Sequence, residues 1–102
     1  MIDEKFRVAV EALSTAELVR AYTIHSPFAD YHHAYAVIKE EVEETEEEMI
    51  LLQKQLNYLW YGIKKADKKD NAIALKMKGT AIKLALEAIQ VAAMAQKIMD
   101  MK

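Results

Sequence analysis

From Phe28 to Ile63, apolar or tolerant residues recur in alternating steps of three and four: Phe28, Tyr31, Tyr35, Ile38, Val42, Thr45, Met49, Leu52, Leu56, Leu59 and Ile63. This seven-residue period keeps one stripe of a helix against a neighbouring helix along its full length, which a strand, with its period of two, cannot use. A continuous helix from Phe28 to Ala66 spans roughly 58 Å at the α-helical rise. One subunit of 102 residues cannot cover that length. Either the helix bends or stops near Gly62, or its far end packs on another subunit. We expect the second, and with it a homodimer or homotetramer.

Two further helical regions flank this one. The first covers residues 3–23, with Phe6, Val10, Leu13, Leu18 and Tyr22 as its expected buried stripe. Within it, Ser14-Thr15-Ala16-Glu17 has the form of a capping box that could restart a helix. The segment Thr23-Ile24-His25-Ser26-Pro27 reads as a turn in which Ser26 caps the next helix and Pro27 takes its first position. A polar run, Lys64–Asn71, marks the second break. The third helix, from Asn71 to Met99, carries the seam Met77, Ala81, Leu84, Ala88, Val91, Ala95 and Ile98. A second apolar row, Ile82, Leu86, Ile89 and Ala93, places it inside a bundle. Hydrophobic residues make up 53% of the chain against two glycines and one proline, which leaves little for turns. The expected fold is all-α: a single domain over residues 1–102, a helical bundle completed by homo-oligomerisation.

Several function classes are excluded at once. Without cysteine there are no disulfides and no thiolate metal sites, which fits a reducing compartment. The start, Met1-Ile2-Asp3-Glu4-Lys5, is not a signal peptide, and no apolar run approaches the roughly 20 residues of a membrane span. A cytoplasmic protein with no membrane partner is expected. There is no Gly-rich phosphate loop, no G-x-S-x-G elbow and no basic stripe suited to duplex nucleic acid. Chemistry, if any, would therefore depend on metal-activated water. Net charge is −2, yet residues 1–53 hold 12 acids and 4 Lys/Arg while residues 54–102 hold 4 acids and 10 Lys/Arg. This split either helps neighbouring helices pair or sets metal at one end of a site and phosphate at the other.

The candidate chemistry lies in the acids. Seven of the nine residues from Glu40 to Glu48 are glutamate. Glu43, Glu46 and Glu47 read as a solvated face, whereas Glu41, Glu44 and Glu48 line up beside the seam. Residues three apart share a helix face, so Glu41 and Glu44 can grip one cation together. Glu87 is the only acid between Asn71 and Met99, and an isolated charge in so apolar a stretch needs a partner. Lys83, four residues earlier, is one such partner; a shared cation is another. Three converging carboxylates suit Mg²⁺, or Mn²⁺. Gln90 shares the face of Glu87 and offers an amide oxygen to a metal or a hydrogen bond across the bundle. His25, His32 and His33 read as capping residues, substrate contacts or plain surface. No Glu-x-x-His pair exists, which argues against a ferritin-like di-iron site. Tyr58, Trp60 and Tyr61 read as core or interface, or as a stacking surface for a base.

The stretch from His32 through Glu40-Glu41-Val42-Glu43-Glu44, with the later Leu86-Glu87-Ala88-Ile89-Gln90-Val91-Ala92-Ala93-Met94-Ala95, resembles the MazG-like all-α nucleoside triphosphate pyrophosphohydrolases, in particular short phage and prophage members. That family carries E-E-x-x-E on one helix and E-x-x-D on a later one. The resemblance covers about residues 26–44 and 84–98. It implies an oligomer that binds Mg²⁺ and splits a nucleoside triphosphate into monophosphate and pyrophosphate. Glu40, Glu41 and Glu44 match the first motif and Glu87 opens the second. By this resemblance Glu41, Glu44 and Glu87, with Gln90, hold the metal, while Glu40 and Glu41 serve catalysis, Glu40 orienting a ligand or activating water. Lysines from Lys64 to Lys83 are candidates for the triphosphate. The chain departs from the pattern at Gln90, where the family has aspartate, and at His33, where a glutamate is often seen. Its two motifs are also farther apart than in compact members. The other expectation, from a different class, is a helical oligomer that binds nucleotide or a protein partner without catalysis.

Overall fold

Three aspartates start the three helices. In the computed structural model, which describes residues 2–66 and 70–102, α1 runs Glu4–Ile24, α2 Tyr31–Ala66 and α3 Asn71–Met99. Asp3 caps α1 by accepting the Lys5 backbone N–H at 2.7 Å. Asp30 Oδ1 accepts from the His33 backbone N–H at 2.8 Å, and Asp70 Oδ1 from that of Ile73 at 3.0 Å. A carboxylate there satisfies an otherwise orphaned N–H and lies at the positive end of the helix dipole. Ser26 and Pro27 thus lie before α2 rather than opening it. The chain needs those extra residues to seat Phe28, which is buried, before the helix starts.

The helices themselves are less interrupted than the sequence suggests. α1 passes through Ser14–Glu17 without a restart: Thr15 Oγ1 donates back to the Glu11 carbonyl at 3.1 Å, a bond made within a continuing helix. α2 passes through Gly62 and ends at Ala66, so Lys64 and Lys65 form its last turn. Of the expected polar break, residues 67–69 lie outside the described residues. α3 has the expected limits and no strand occurs among the described residues. The all-α class is therefore observed.

α3 is the middle helix. Both α1 and α2 pack on it, and among the described residues they do not pack on each other. α2 is antiparallel to α3, with Glu48 beside Lys83 and Glu41 beside Gln90. α1 is parallel to α3, and its last turn reaches the end of α3 where Tyr22 Oη donates to Asp100 Oδ2 at 3.2 Å. Such a layer is long and thin, 58 × 31 × 22 Å, with a radius of gyration of 17.4 Å. A compact chain of this size would have about 13 Å.

A single layer buries little. Among the described residues, the buried apolar ones are Ala21, Phe28, Ala34, Ala93 and Met94, gathered where the α1–α2 connection crosses the C-terminal half of α3. Leu18, Val37, Ile38, Ile98 and Met101 pack partly against them. Lys97 is only 4% exposed. Its Nζ donates to the Ser26 carbonyl at 3.0 Å and lies 4.3 Å from the centre of the Phe28 ring and 5.5 Å from that of Tyr22. An ammonium is attracted to aromatic faces, so this contact pins the connection to α3. The stripe expected to be buried on α1 is mostly not: Phe6, Val10, Leu13 and Tyr22 are exposed and only Leu18 is half-buried. Among the described residues no second layer covers them. Ile82 and Leu86 of the second row on α3 are exposed for the same reason.

Ala93 is 0% exposed, so it tests how closely α3 meets its neighbours. Ala93→Leu should lower the unfolding free energy by about 1–3 kcal/mol, the cost of extra methylenes in a filled site, measured by urea denaturation.

Candidate functional site

The antiparallel pairing of α2 and α3 brings the two acidic positions together. Glu41 and Glu44, one turn apart on α2, face Glu87 on α3, and one oxygen from each lies within 4.8 Å of the others. All three residues are half-buried. Glu40 is exposed and outside this trio, on the solvent side of Glu41. Glu48 continues the same side of α2 and pairs with Lys83 Nζ at 2.9 Å. Lys83 is thereby engaged by Glu48, not by Glu87 four residues along its own helix. It is still near enough to draw the Glu44 carboxyl downward.

Gln90 completes the arrangement. With its amide nitrogen turned toward the acids, it donates to Glu41 Oε2 at 2.8 Å and to Glu87 Oε2 at 3.2 Å. The opposite orientation would set an amide oxygen against two carboxylate oxygens. As a metal ligand Gln90 would have to turn that amide round, because only its oxygen can coordinate.

Crowding like charges raises their proton affinity. The Glu41 carboxyl is pushed above the usual range, first by burial and then by the charges of Glu44, Glu87, Glu40 and Glu17. The Glu44 carboxyl is also pushed up, first by a hydrogen bond with Glu87 and then by burial and by the charge of Glu87. Glu17, from α1, is a participant that sequence reasoning missed. Arg20 grips it with bonds of 2.6 and 2.9 Å and holds its carboxyl below the usual range. Its place in an apparent capping box concealed that it borders α3 beside Leu86, Ile89 and Gln90; only its position one turn before Ala21, on the packed side of α1, could have signalled this.

The donor set fits a small hard dication. Octahedral oxygens at about 2.1 Å from Mg²⁺ stand about 3 Å apart when adjacent and about 4.2 Å when opposite, close to the 4.8 Å within which the three carboxylates already lie. Three acids of one sign, half withdrawn from water, also need positive charge, which Gln90 supplies only as a dipole.

The remaining candidates take other places. His33 Nδ1 accepts the Ala29 backbone N–H at 3.1 Å and its ring meets Phe28 edge-on, so it shapes the start of α2. His25 ends α1, its N–H bonded to the Ala21 carbonyl. His32 is exposed. Tyr58, Trp60 and Tyr61 are exposed near the end of α2, with Lys64 over the Trp60 ring and Lys65 over that of Tyr61. Twenty residues of helix, roughly 30 Å, separate Lys64 from Glu44. Among the described lysines from Lys64 to Lys83, Lys83 is the one paired beside the acids. Lys68 and Lys69 lie outside the described residues.

Compared with known proteins, the chain matches no family model, no curated protein and no solved structure.

Raised carboxyl pKa values fix a sign. Glu41 and Glu44 hold protons more tightly folded than unfolded, so their contribution is most favourable below the unfolded value and is lost as pH rises through the folded one. Without metal, Glu44→Gln should therefore raise the urea midpoint at neutral pH and flatten its decline above pH 4.5, measured in chelator.

Proposed function

We propose that this protein is a divalent-cation-dependent nucleoside triphosphate pyrophosphohydrolase of the MazG-like kind, a homodimer or homotetramer acting in the cytoplasm. The observation that carries this reading is the meeting of Glu41, Glu44 and Glu87 across two antiparallel helices, with oxygens within 4.8 Å. These are the positions at which the resemblance expects metal ligands.

In this reading Glu41, Glu44 and Glu87 hold Mg²⁺, with Mn²⁺ as a substitute, and Gln90 joins them when its amide turns. The bound ion would lower the pKa of water and offset charge on the phosphates. Glu40, exposed beside Glu41, accepts the proton of the attacking water. Water oxygen adds to the α-phosphorus while the bond from that phosphorus to the α–β bridging oxygen breaks. The products are nucleoside monophosphate and pyrophosphate, and the proton leaves through Glu40. Lys83, beside the acids, is the lysine best placed for a phosphate oxygen.

Gln90 favours a second reading, a helical oligomer that binds nucleotide or a protein partner without catalysis. Its amide already satisfies Glu41 and Glu87 in part, where an aspartate would add charge and demand a cation.

A panel of nucleoside triphosphates with Mg²⁺, Mn²⁺ or chelator decides between the two. The enzyme reading requires monophosphate plus pyrophosphate that disappear with chelator and in Glu41→Gln. Absence of turnover from folded, metal-loaded protein would leave only the binding reading. Gln90→Asp should tighten Mg²⁺ binding by at least about tenfold, since it adds a full charge a few ångströms from the ion, measured by calorimetry.

A further inference from the structure

The heptad stripe of α2 is only half used. Ile38, Thr45, Leu52 and Leu59, one row of the repeat, are half-buried toward α3. Tyr35, Val42, Met49 and Leu56, the other row, are exposed. Seven-residue spacing maintained over four positions has no purpose on a solvated helix; it fits a second helix lying alongside. Next to this row, Val42 and Met49 form with Leu84, Ala88 and Val91 a shallow apolar groove of about 270 Å³. Around the α2 axis, Val42 and Met49 lie nearly opposite Glu44, with Glu41 between them, so the groove opens on the other side of the layer from Glu44.

We infer that this row is where a second copy of the chain docks, α2 against α2 and antiparallel, on the side away from Glu44. Two features of α2 choose the occupant and its direction. The row is self-complementary about Met49: a two-fold axis there sets Val42 opposite Leu56 and Tyr35 opposite Ile63. Charge forbids the alternative. In-register parallel helices would stack the seven glutamates of residues 40–48 on seven more. The antiparallel pair lays that acidic stretch along residues 50–58, which contain Lys54 and no acid. The groove beside the row then receives side chains from the partner, and the second layer missing from one chain is supplied by the other.

The inference does not depend on metal binding or turnover, and its test involves neither. The chain has no cysteine, so one introduced thiol reports position unambiguously. Met49→Cys should crosslink to itself rapidly under mild oxidation in dilute solution. Leu51→Cys should not, being exposed but two residues on and almost opposite around the helix. Sedimentation velocity should give the wild type a mass of at least twice 11.7 kDa, and Leu56→Glu a single-chain mass. If Leu56→Glu fails to fold, the two thiol variants decide alone. A wild type of single-chain mass at all concentrations, or crosslinking through Leu51→Cys as fast as through Met49→Cys, overturns the inference.

Discussion

Two helices that touch only a third cannot enclose a core, and most of what is unusual about this molecule follows from that constraint. A globular domain ordinarily buries the apolar face of one layer against another. Here α1, α3 and α2 lie side by side in that spatial order, so α3 is covered on two flanks and open on two sides. Burial concentrates near Ala93, Met94 and the Lys97 contact, where the α1–α2 connection crosses and covers α3. Elsewhere, large side chains such as Phe6, Leu56 and Leu86 meet water.

The two open sides differ in chemistry. One gathers Glu41, Glu44 and Glu87 with Gln90 and, from α1, Glu17 held by Arg20. The other presents Val42 and Met49 with Leu84, Ala88 and Val91 of α3. Segregation of this kind is economical for a flat molecule. Charge that must stay near water or a cation, and apolar surface that must leave water, need separate faces when there is no interior to divide them. The raised proton affinity of Glu41 and Glu44 measures how far the acidic side has been pressed without compensation.

Much of this was legible in the residues and some was not. The 3.5-residue period of residues 28–63 predicted one long α2, and the amphipathic pattern of residues 71–99 predicted the limits of α3, because both signals repeat over many turns. The meeting of Glu87 with Glu41 and Glu44 followed from charge in apolar company. Start signals were harder: Ser26-Pro27 has ideal local chemistry for a helix start, but burial of Phe28 moved that start to Asp30. The role of Glu17 was hidden because its neighbours obey a local rule and its bonds go to Arg20 on its own helix, while its charge is felt by Glu41 across the layer. The misjudged stripe on α1 has another cause. Periodicity tells which side of a helix is apolar, not whether the same chain covers it.

The unequal lengths of the helices have a consequence for motion. α1 has 21 residues and α2 has 36, and α1 is aligned with the C-terminal end of α3. Roughly 20 Å of the α2–α3 hairpin therefore extends past α1. There, among the described residues of one subunit, the hairpin is held by α2 and α3, around a narrow line that includes the buried Gln55, whose Oε1 has no partner, and Thr80. Within a single subunit, opening this outer segment exposes little apolar surface that is not already wet, so there it can separate without disturbing Ala93 or the acids. Amide protons of α2 beyond Leu59 and of α3 before Met77 would then exchange through partial opening, while those near Ala93 would wait for the whole chain to unfold.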